Sequence, residues 1–392
     1  MLFSLALISL LGLLLSQISI KLKLPGLIGM LLTGIILGPF ALNLIDSSIL
    51  DISTQLRKIA LVIIIIRAGL SLDIKKLKKV GRPALLMCFV PASFELIGII
   101  LLAPVLLDIT YLEAAILGTV LAAVSPAVIV PRMIKLIDNG YGSKNSIPQM
   151  IMAGASVDDI FVIVLFTSFT SLAKGKSISP LTILNIPVSI ISGLFLGIII
   201  GIVMTSFFKK FHIRDSAKVI IMLSISFILI WLESILEGTF AISGLLAVMS
   251  FSATIFHKHN VAAKRLSQKF SKLWVCAEIL LFVLVGAAVN PSYIKKAGIA
   301  CVVLILVALL FRMAGVLVCV TKTKLSKKER LFCGFSYLPK ATVQAAIGGL
   351  PLAMGLSCGD LVLTVAVMSI IITAPLGAFL IDISYKKLLT KN

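Results

Sequence analysis

Long apolar runs separated by short polar stretches set the pattern of this chain. A run of about 20 apolar residues crosses a bilayer as a helix, and about thirteen such runs can be read. They are 2–20, 25–44, 56–72, 82–107, 111–136, 147–173, 181–208, 216–236, 239–257, 271–289, 298–320, 329–355 and 360–384. The first run has neither a basic n-region nor a small-residue cleavage site, so it is expected to stay as a helix. The connecting loops are shorter than about 20 residues and leave no room for a soluble domain. The pattern predicts an all-α polytopic membrane protein. Three runs are interrupted. Asp158-Asp159 falls in the middle of span six, and prolines fall inside spans five and twelve.

Composition agrees with the pattern. The chain is 59% hydrophobic and 13% charged, against about 25% charged in globular domains, and its mean hydropathy is +1.16. A soluble enzyme is excluded. The net charge of +20 would suit a nucleic-acid partner, but its distribution gives another reading. Most basic residues lie in loops after odd-numbered spans, such as Lys75, Lys76, Lys78 and Lys79, or Lys322, Lys324, Lys327 and Lys328. The positive-inside rule then places the N-terminus outside and the C-terminus in the cytoplasm. Anionic lipid at the cytoplasmic face is the expected partner of this charge, and nucleic acid is not. There is no Walker A sequence, so ATP is not expected and transport must draw on an ion gradient. The six cysteines show no CxxC spacing, and no His/Cys/carboxylate cluster suggests zinc. No resident cofactor is expected.

The ionisable residues inside the spans are Arg67, Glu95, Asp158, Asp159, Glu278, Arg312 and Lys340. A charge at the bilayer centre costs about 2.5 kcal/mol or more, so each is a functional candidate and each should seek a partner. Acids at that depth bind protons and metal cations. Pro126 and Pro131 in span five and Pro339 in span twelve each remove a helical N–H and clash with the preceding turn. Broken backbone at membrane depth is tolerated only inside protein or against water. Spans four to six and eleven to thirteen each place a broken helix between two helices, and the triplets are seven spans apart. They therefore enter the membrane from opposite sides, the pattern of an inverted-topology repeat with discontinuous helices meeting near the midplane. Lys340, beside the second break, is placed to neutralise the negative helix ends or to pair with an aspartate. Glu95 and Arg312 occupy equivalent helices and predict a structural ion pair. Adjacent aspartates point about 100° apart on a helix, so one faces the ion path and the other turns towards the broken helices and Lys340. Arg67 is expected to snorkel or to pair with Asp73. Glu278 has no evident partner.

These residues carry a resemblance. The motifs Ile66-Arg-Ala-Gly-Leu-Ser-Leu-Asp73, Ala123-Val-Ser-Pro-Ala-Val-Ile-Val-Pro131, Ala155-Ser-Val-Asp-Asp159, Leu338-Pro-Lys-Ala-Thr-Val-Gln-Ala-Ala-Ile347 and Ile372-Thr-Ala-Pro-Leu-Gly377 are ordered over nearly the whole chain. The sequence resembles the monovalent cation/proton antiporter superfamily, and most of all its NHA-type sodium/proton antiporter branch. The resemblance implies the sodium/proton antiporter fold, an elevator-like transport cycle and a homodimer in the cell membrane serving pH homeostasis. It divides the chain into scaffold helices over 1–80, core helices with the ion site over 81–173, a linker helix over 174–215, scaffold helices over 216–297 and core helices over 298–392. It makes Asp159 the main Na+ or Li+ carboxylate and Asp158 its partner, paired with Lys340. Ser125 and neighbouring carbonyls complete the shell, and Glu95–Arg312 matches the charge pair of the branch. Ser156-Val157 departs from the Ser-Phe expected before the aspartates, which reads as a packing change.

Protons and cations competing for one carboxylate site give exchange when access alternates. The nearest rival is a K+/proton antiporter or another ion-coupled transporter of the same fold. An intramembrane aspartyl protease needs two facing carboxyls that share a proton. Adjacent residues on one helix do not supply that arrangement, so an enzyme is not expected.

Overall fold

The computed structural model describes residues 1–72, 81–174, 180–211, 213–236 and 242–391. The side chains of 156, 160, 180–187 and 291–297 lie outside the description. So does Asp73, and with it the expected Arg67–Asp73 contact.

The helices are α1 (Leu2–Lys21), α2 (Gly26–Leu37), α3 (Ser47–Asp51), α4 (Ser53–Gly69), α5 (Arg82–Leu86), α6 (Val90–Leu107), α7 (Tyr111–Ala122), α8 (Pro126–Asp138), α9 (Ile147–Lys174), α10 (Pro180–Lys210), α11 (Asp215–Leu236), α12 (Gly244–Lys258), α13 (Asn260–Ala287), α14 (Pro291–Cys319), α15 (Lys327–Ser336), α16 (Thr342–Ile347), α17 (Leu350–Ala353) and α18 (Gly359–Leu388). Among the described residues each apolar run overlaps one helix or one interrupted helix, with shifted bounds in places: α13 begins at Asn260, within a stretch expected as a loop, and α2 ends at Leu37, short of the run's end at 44. Among the described residues, nine helices are long and apolar enough to cross a membrane by length and composition. The other runs fold as shorter pieces, such as α2, α12 and the α16–α17 segment, because a polar or helix-breaking residue ends them early.

The described chain clusters into two compact units. One comprises Met1–Thr54, Ile74–Val162 and Ile279–Asn392, and the other Gln55–Asp73 and Ile163–Glu278. In the second unit α10 packs along α12 through a ladder of small residues. A methyl at Gly193, Gly197 or Gly201 would run into Ser243 O, Ala247 O or the Thr254 side chain. Glycine at every fourth position lets the two backbones approach, which is how helices associate where lipid removes the hydrophobic drive.

The first unit holds both interrupted crossings. Their leading half-helices, α7 and α15, start alike. Thr110 Oγ1 accepts from Glu113 N while Glu113 Oε2 accepts from Thr110 N, and Ser326 with Glu329 repeats the arrangement. Each capping box satisfies two N–H groups that a helix start leaves orphaned. The shared device marks α7 and α15 as equivalent parts of the repeat.

Candidate functional site

The two breaks meet. The helix of span five stops at Ala122, runs extended through Ala123, Val124 and Ser125, and restarts with Pro126 as the first residue of α8. Pro fits that position because its missing N–H is an orphan there anyway. The helix of span twelve stops at Ser336 and restarts at Thr342, with Pro339 in the gap. Ser125 N donates to Pro339 O at 2.8 Å, so the two gaps are tied backbone to backbone. Gln344 Nε2 donates to Leu121 O at 3.2 Å and Ala123 O at 2.8 Å, satisfying carbonyls left free at the end of α7.

Pro131 does not break its helix. It sits inside the continuous α8. The break has already occurred before Pro126, and a second proline five residues on removes one further rung from a helix whose first turn has no rungs to lose.

Buried charges fill the space around the crossing. Arg312 is 0% exposed. Its Nη1 lies 2.9 Å from Glu95 Oε2 and its Nη2 lies 2.8 Å from Asp158 Oδ2. Its remaining donors reach the ends of both leading half-helices: Nε donates to Tyr337 O at 2.6 Å, and Nη1 also donates to Ala122 O. Asp158 Oδ2 accepts a second bond, from Val124 N at 2.8 Å. Lys340 Nζ sits 2.7 Å and 2.8 Å from the two oxygens of Glu95. Two expectations are corrected here. Lys340 pairs with Glu95 and not with Asp158. The negative helix ends are neutralised by Arg312 and not by Lys340. The reason is geometric: a guanidinium has five donors in a planar fork and can hold two carboxylates and two carbonyls at once, whereas an ammonium on a flexible stem is a point charge.

The two aspartates are separated as their 100° offset requires. Asp158 is fully buried and turned into the crossing, while Asp159 is half-buried. Two carboxylates (Glu95, Asp158) are matched by two cations (Arg312, Lys340) in contact with them. Asp159 is left over. Among the described residues it has no ion-pair partner, and its Oδ1 is buried with no hydrogen-bond partner. Ser125 Oγ and Asp158 Oδ1 share that condition.

The surroundings use residues that lay inside the quoted motifs without an assigned role. Thr373 Oγ1 accepts from Lys340 N at 3.1 Å. Gly377 gives Pro339 its space, since a methyl there would meet the proline ring. Tyr337 places its ring beneath the Arg312 guanidinium, 5.5 Å from the centroid, and its hydroxyl lies 3.5 Å from Met87 O and Ile151 O. That hydroxyl occupies the notch left by Gly154, one helical turn before Asp158. Span four is itself interrupted at Met87–Phe89, between α5 and α6. Pro91, the second residue of α6, has no N–H to give to Met87 O and is the local signal of that interruption. In the second unit, Arg67 lies within electrostatic reach of Glu278, which also accepts from Trp274.

Known proteins match this chain over most of its length. The family model described as "Sodium/hydrogen exchanger, transmembrane" matches residues 5–383. Human sodium/hydrogen exchanger 9B2 is 34% identical over 386 residues, covering 94% of this chain and 70% of that protein. Human sodium/hydrogen exchanger 9B1 is 33% identical over 385 residues, covering 94% and 73%. In fold, the chain is similar to the sodium proton antiporter MjNhaP1 from Methanocaldococcus jannaschii at pH 8, with a TM-score of 0.83 at 20% identity, covering 98% of this chain and 97% of that one.

Proposed function

We propose, from the premise that this chain belongs to the sodium/hydrogen exchanger family and is a multi-pass membrane antiporter of cations and protons, that it exchanges Na+ or Li+ for H+ at Asp159. The observation that carries the reading is the charge balance at the crossing. Glu95, Asp158, Arg312 and Lys340 cancel within contact distance, and Asp159 alone remains uncompensated. A carboxylate with a buried oxygen that has no partner needs either a proton or a cation to be neutral. Binding one therefore excludes the other, and that exclusion is the coupling.

The balance also fixes the stoichiometry of the proposal. One uncompensated carboxylate carries one proton in one direction and one monovalent cation in the other, so the cycle is electroneutral. Asp158 is held in place by Arg312 and Val124 N and acts as a positioning group. Ser125 Oγ, buried and without a hydrogen-bond partner, is the cation ligand offered by the broken helix of span five. Alternating access comes from movement of core spans four to six and eleven to thirteen as one body, with homodimerisation through the scaffold spans. The basic loops set the C-terminus in the cytoplasm of the cell membrane and lie against anionic lipid.

Asp159→Asn tests the assignment. In proteoliposomes the folded variant is expected to lose exchange. Full Na+/H+ exchange by that variant would remove Asp159 from the mechanism. A K+/proton antiporter is the second reading, because a carboxylate with neutral oxygens accepts any alkali cation of the right size.

A further inference from the structure

The ion site has more oxygen than the aspartates and Ser125 supply. Two residues of the second crossing, Thr342 and Gln344, are 1% and 0% exposed, and Thr342 Oγ1 and Gln344 Oε1 have no hydrogen-bond partner. In a network where Arg312, Lys340 and Val124 N are all satisfied, these orphans stand out. A buried acceptor without a partner costs about 1–3 kcal/mol, so each is open to a donor or a cation.

Gln344 is the informative one. Both hydrogens of its amide are committed, to Leu121 O and Ala123 O. Turning the amide over would face oxygen to two carbonyl oxygens, so its orientation is fixed and Oε1 can only accept. Thr342 opens the same half-helix, α16. Ser125 lies two residues beyond Ala123 on the stretch that Gln344 grips, and its own backbone N is tied to Pro339 O. Asp158 is bonded to Val124 N on that stretch. The orphaned oxygens thus belong to residues on, bonded to, or sharing a half-helix with a residue bonded to, one short stretch, Leu121–Ser125, made of the end of α7 and the extended residues after it.

We propose that Gln344 and Thr342 are ligands of the transported cation, supplying neutral oxygens that complete the shell with Ser125 and select among alkali ions. The proposal rests on the exchange reading above and adds residues to it. Hard cations such as Na+ and Li+ take oxygen ligands without requiring charge. A hydroxyl can turn a lone pair to the ion, and the clamped amide presents its oxygen at a position set by the end of α7. The rigidity of that clamp makes the spacing of the oxygens a size filter. The proton needs none of these ligands, so they act on cation affinity alone.

The experiment is exchange by the purified full-length protein in proteoliposomes, with Na+, Li+ and K+ each varied. Gln344→Ala is expected to raise the apparent KM for Na+ by about tenfold or more and to change the ratio of Na+ to Li+ affinities. Thr342→Val, which keeps the side-chain shape, should move KM in the same direction by a smaller factor. Asp159→Asn, run alongside, should be inactive. Wild-type KM values and cation ratios in both variants, with Asp159→Asn inactive, would overturn the proposal and mean that the orphans bind only water. Retained exchange in Asp159→Asn would instead overturn the exchange reading. Should Gln344→Ala fail to give monodisperse protein, Thr342→Val decides, and an unchanged KM there counts against the proposal.

Discussion

Removing Glu95 should cost more than removing its partner Lys340, and removing both should cost less than the sum. Glu95 contacts Lys340 at 2.7 Å and Arg312 at 2.9 Å, all three side chains being at most 1% exposed. Glu95→Gln leaves Lys340 buried with no other ion-pair partner among the described residues. Breaking a buried pair from one side costs about 3–5 kcal/mol, because the surviving charge is uncompensated. The Gln oxygen still accepts a hydrogen bond, worth about 1 kcal/mol, which places the loss at the lower end. Lys340→Met is milder, since Glu95 keeps Arg312. The double variant leaves Arg312 with Asp158, a balanced pair at 2.8 Å. The coupling between Glu95 and Lys340 should therefore approach the upper part of the range of about 0.5–3 kcal/mol seen for contacting pairs. The assay is a graded denaturant titration in mixed micelles on the four proteins of the cycle. The parallel cycle of Asp158→Asn with Lys340→Met should show smaller coupling. Additive losses for Glu95 and Lys340, or the larger coupling for Asp158 with Lys340, would refute the pairing described here.

Other expectations follow from packing and chemistry. Gly197→Val should destabilise the protein by about 1–3 kcal/mol or more, as overpacking does, because its Cβ would meet Ala247 O. Gly298→Ala is the control: nothing lies within 4 Å of its Cβ, and a helical Gly→Ala change should be neutral or gain about 0.5–1 kcal/mol; thermal unfolding of both variants checks the pair. Gly154→Ala should impair folding, as its methyl would meet the Tyr337 hydroxyl, and adding Tyr337→Phe should restore part of the loss; the absence of any rescue would show that Met87, the second neighbour of that methyl, dominates. Asp159→Asn should leave unfolding stability at or above wild type while exchange is lost, since no ion pair is broken.

The helical architecture was legible in the apolar runs because a membrane helix must satisfy its own backbone, which forces long uninterrupted stretches. The breaks at Pro126 and Pro339 were legible because proline states its effect locally. The break at Met87–Phe89 has its own proline, Pro91 at the second position of α6, but Pro104 in the same span and Pro131 in the next sit inside unbroken helices, so proline alone did not single it out. The Glu95–Arg312 contact followed from equivalent places in a repeat. The partner of Lys340 did not follow, because Asp158 and Glu95 are both acids at similar depth and only the three-dimensional reach of the Arg312 fork decides which is left for the lysine. For Arg67, the expected partner Asp73 lies outside the described residues, and the approach of Glu278, more than two hundred residues away in sequence, is a product of the fold. Gln344 and Thr373 stood in plain sight within motifs. Their roles depend on carbonyls and N–H groups freed by breaks in other segments, which no pattern along one segment encodes.

In the proposed cycle one carboxylate, Asp159, exchanges one proton for one cation. This is tested most directly by Na+/H+ exchange of the purified protein in proteoliposomes with the membrane potential clamped at a series of values. A rate and an equilibrium position that do not depend on potential are predicted, because the four charges around Arg312 cancel and the carrier is neutral in both loaded forms. A reversal point that shifts with potential, as two protons per cation require, would contradict the account.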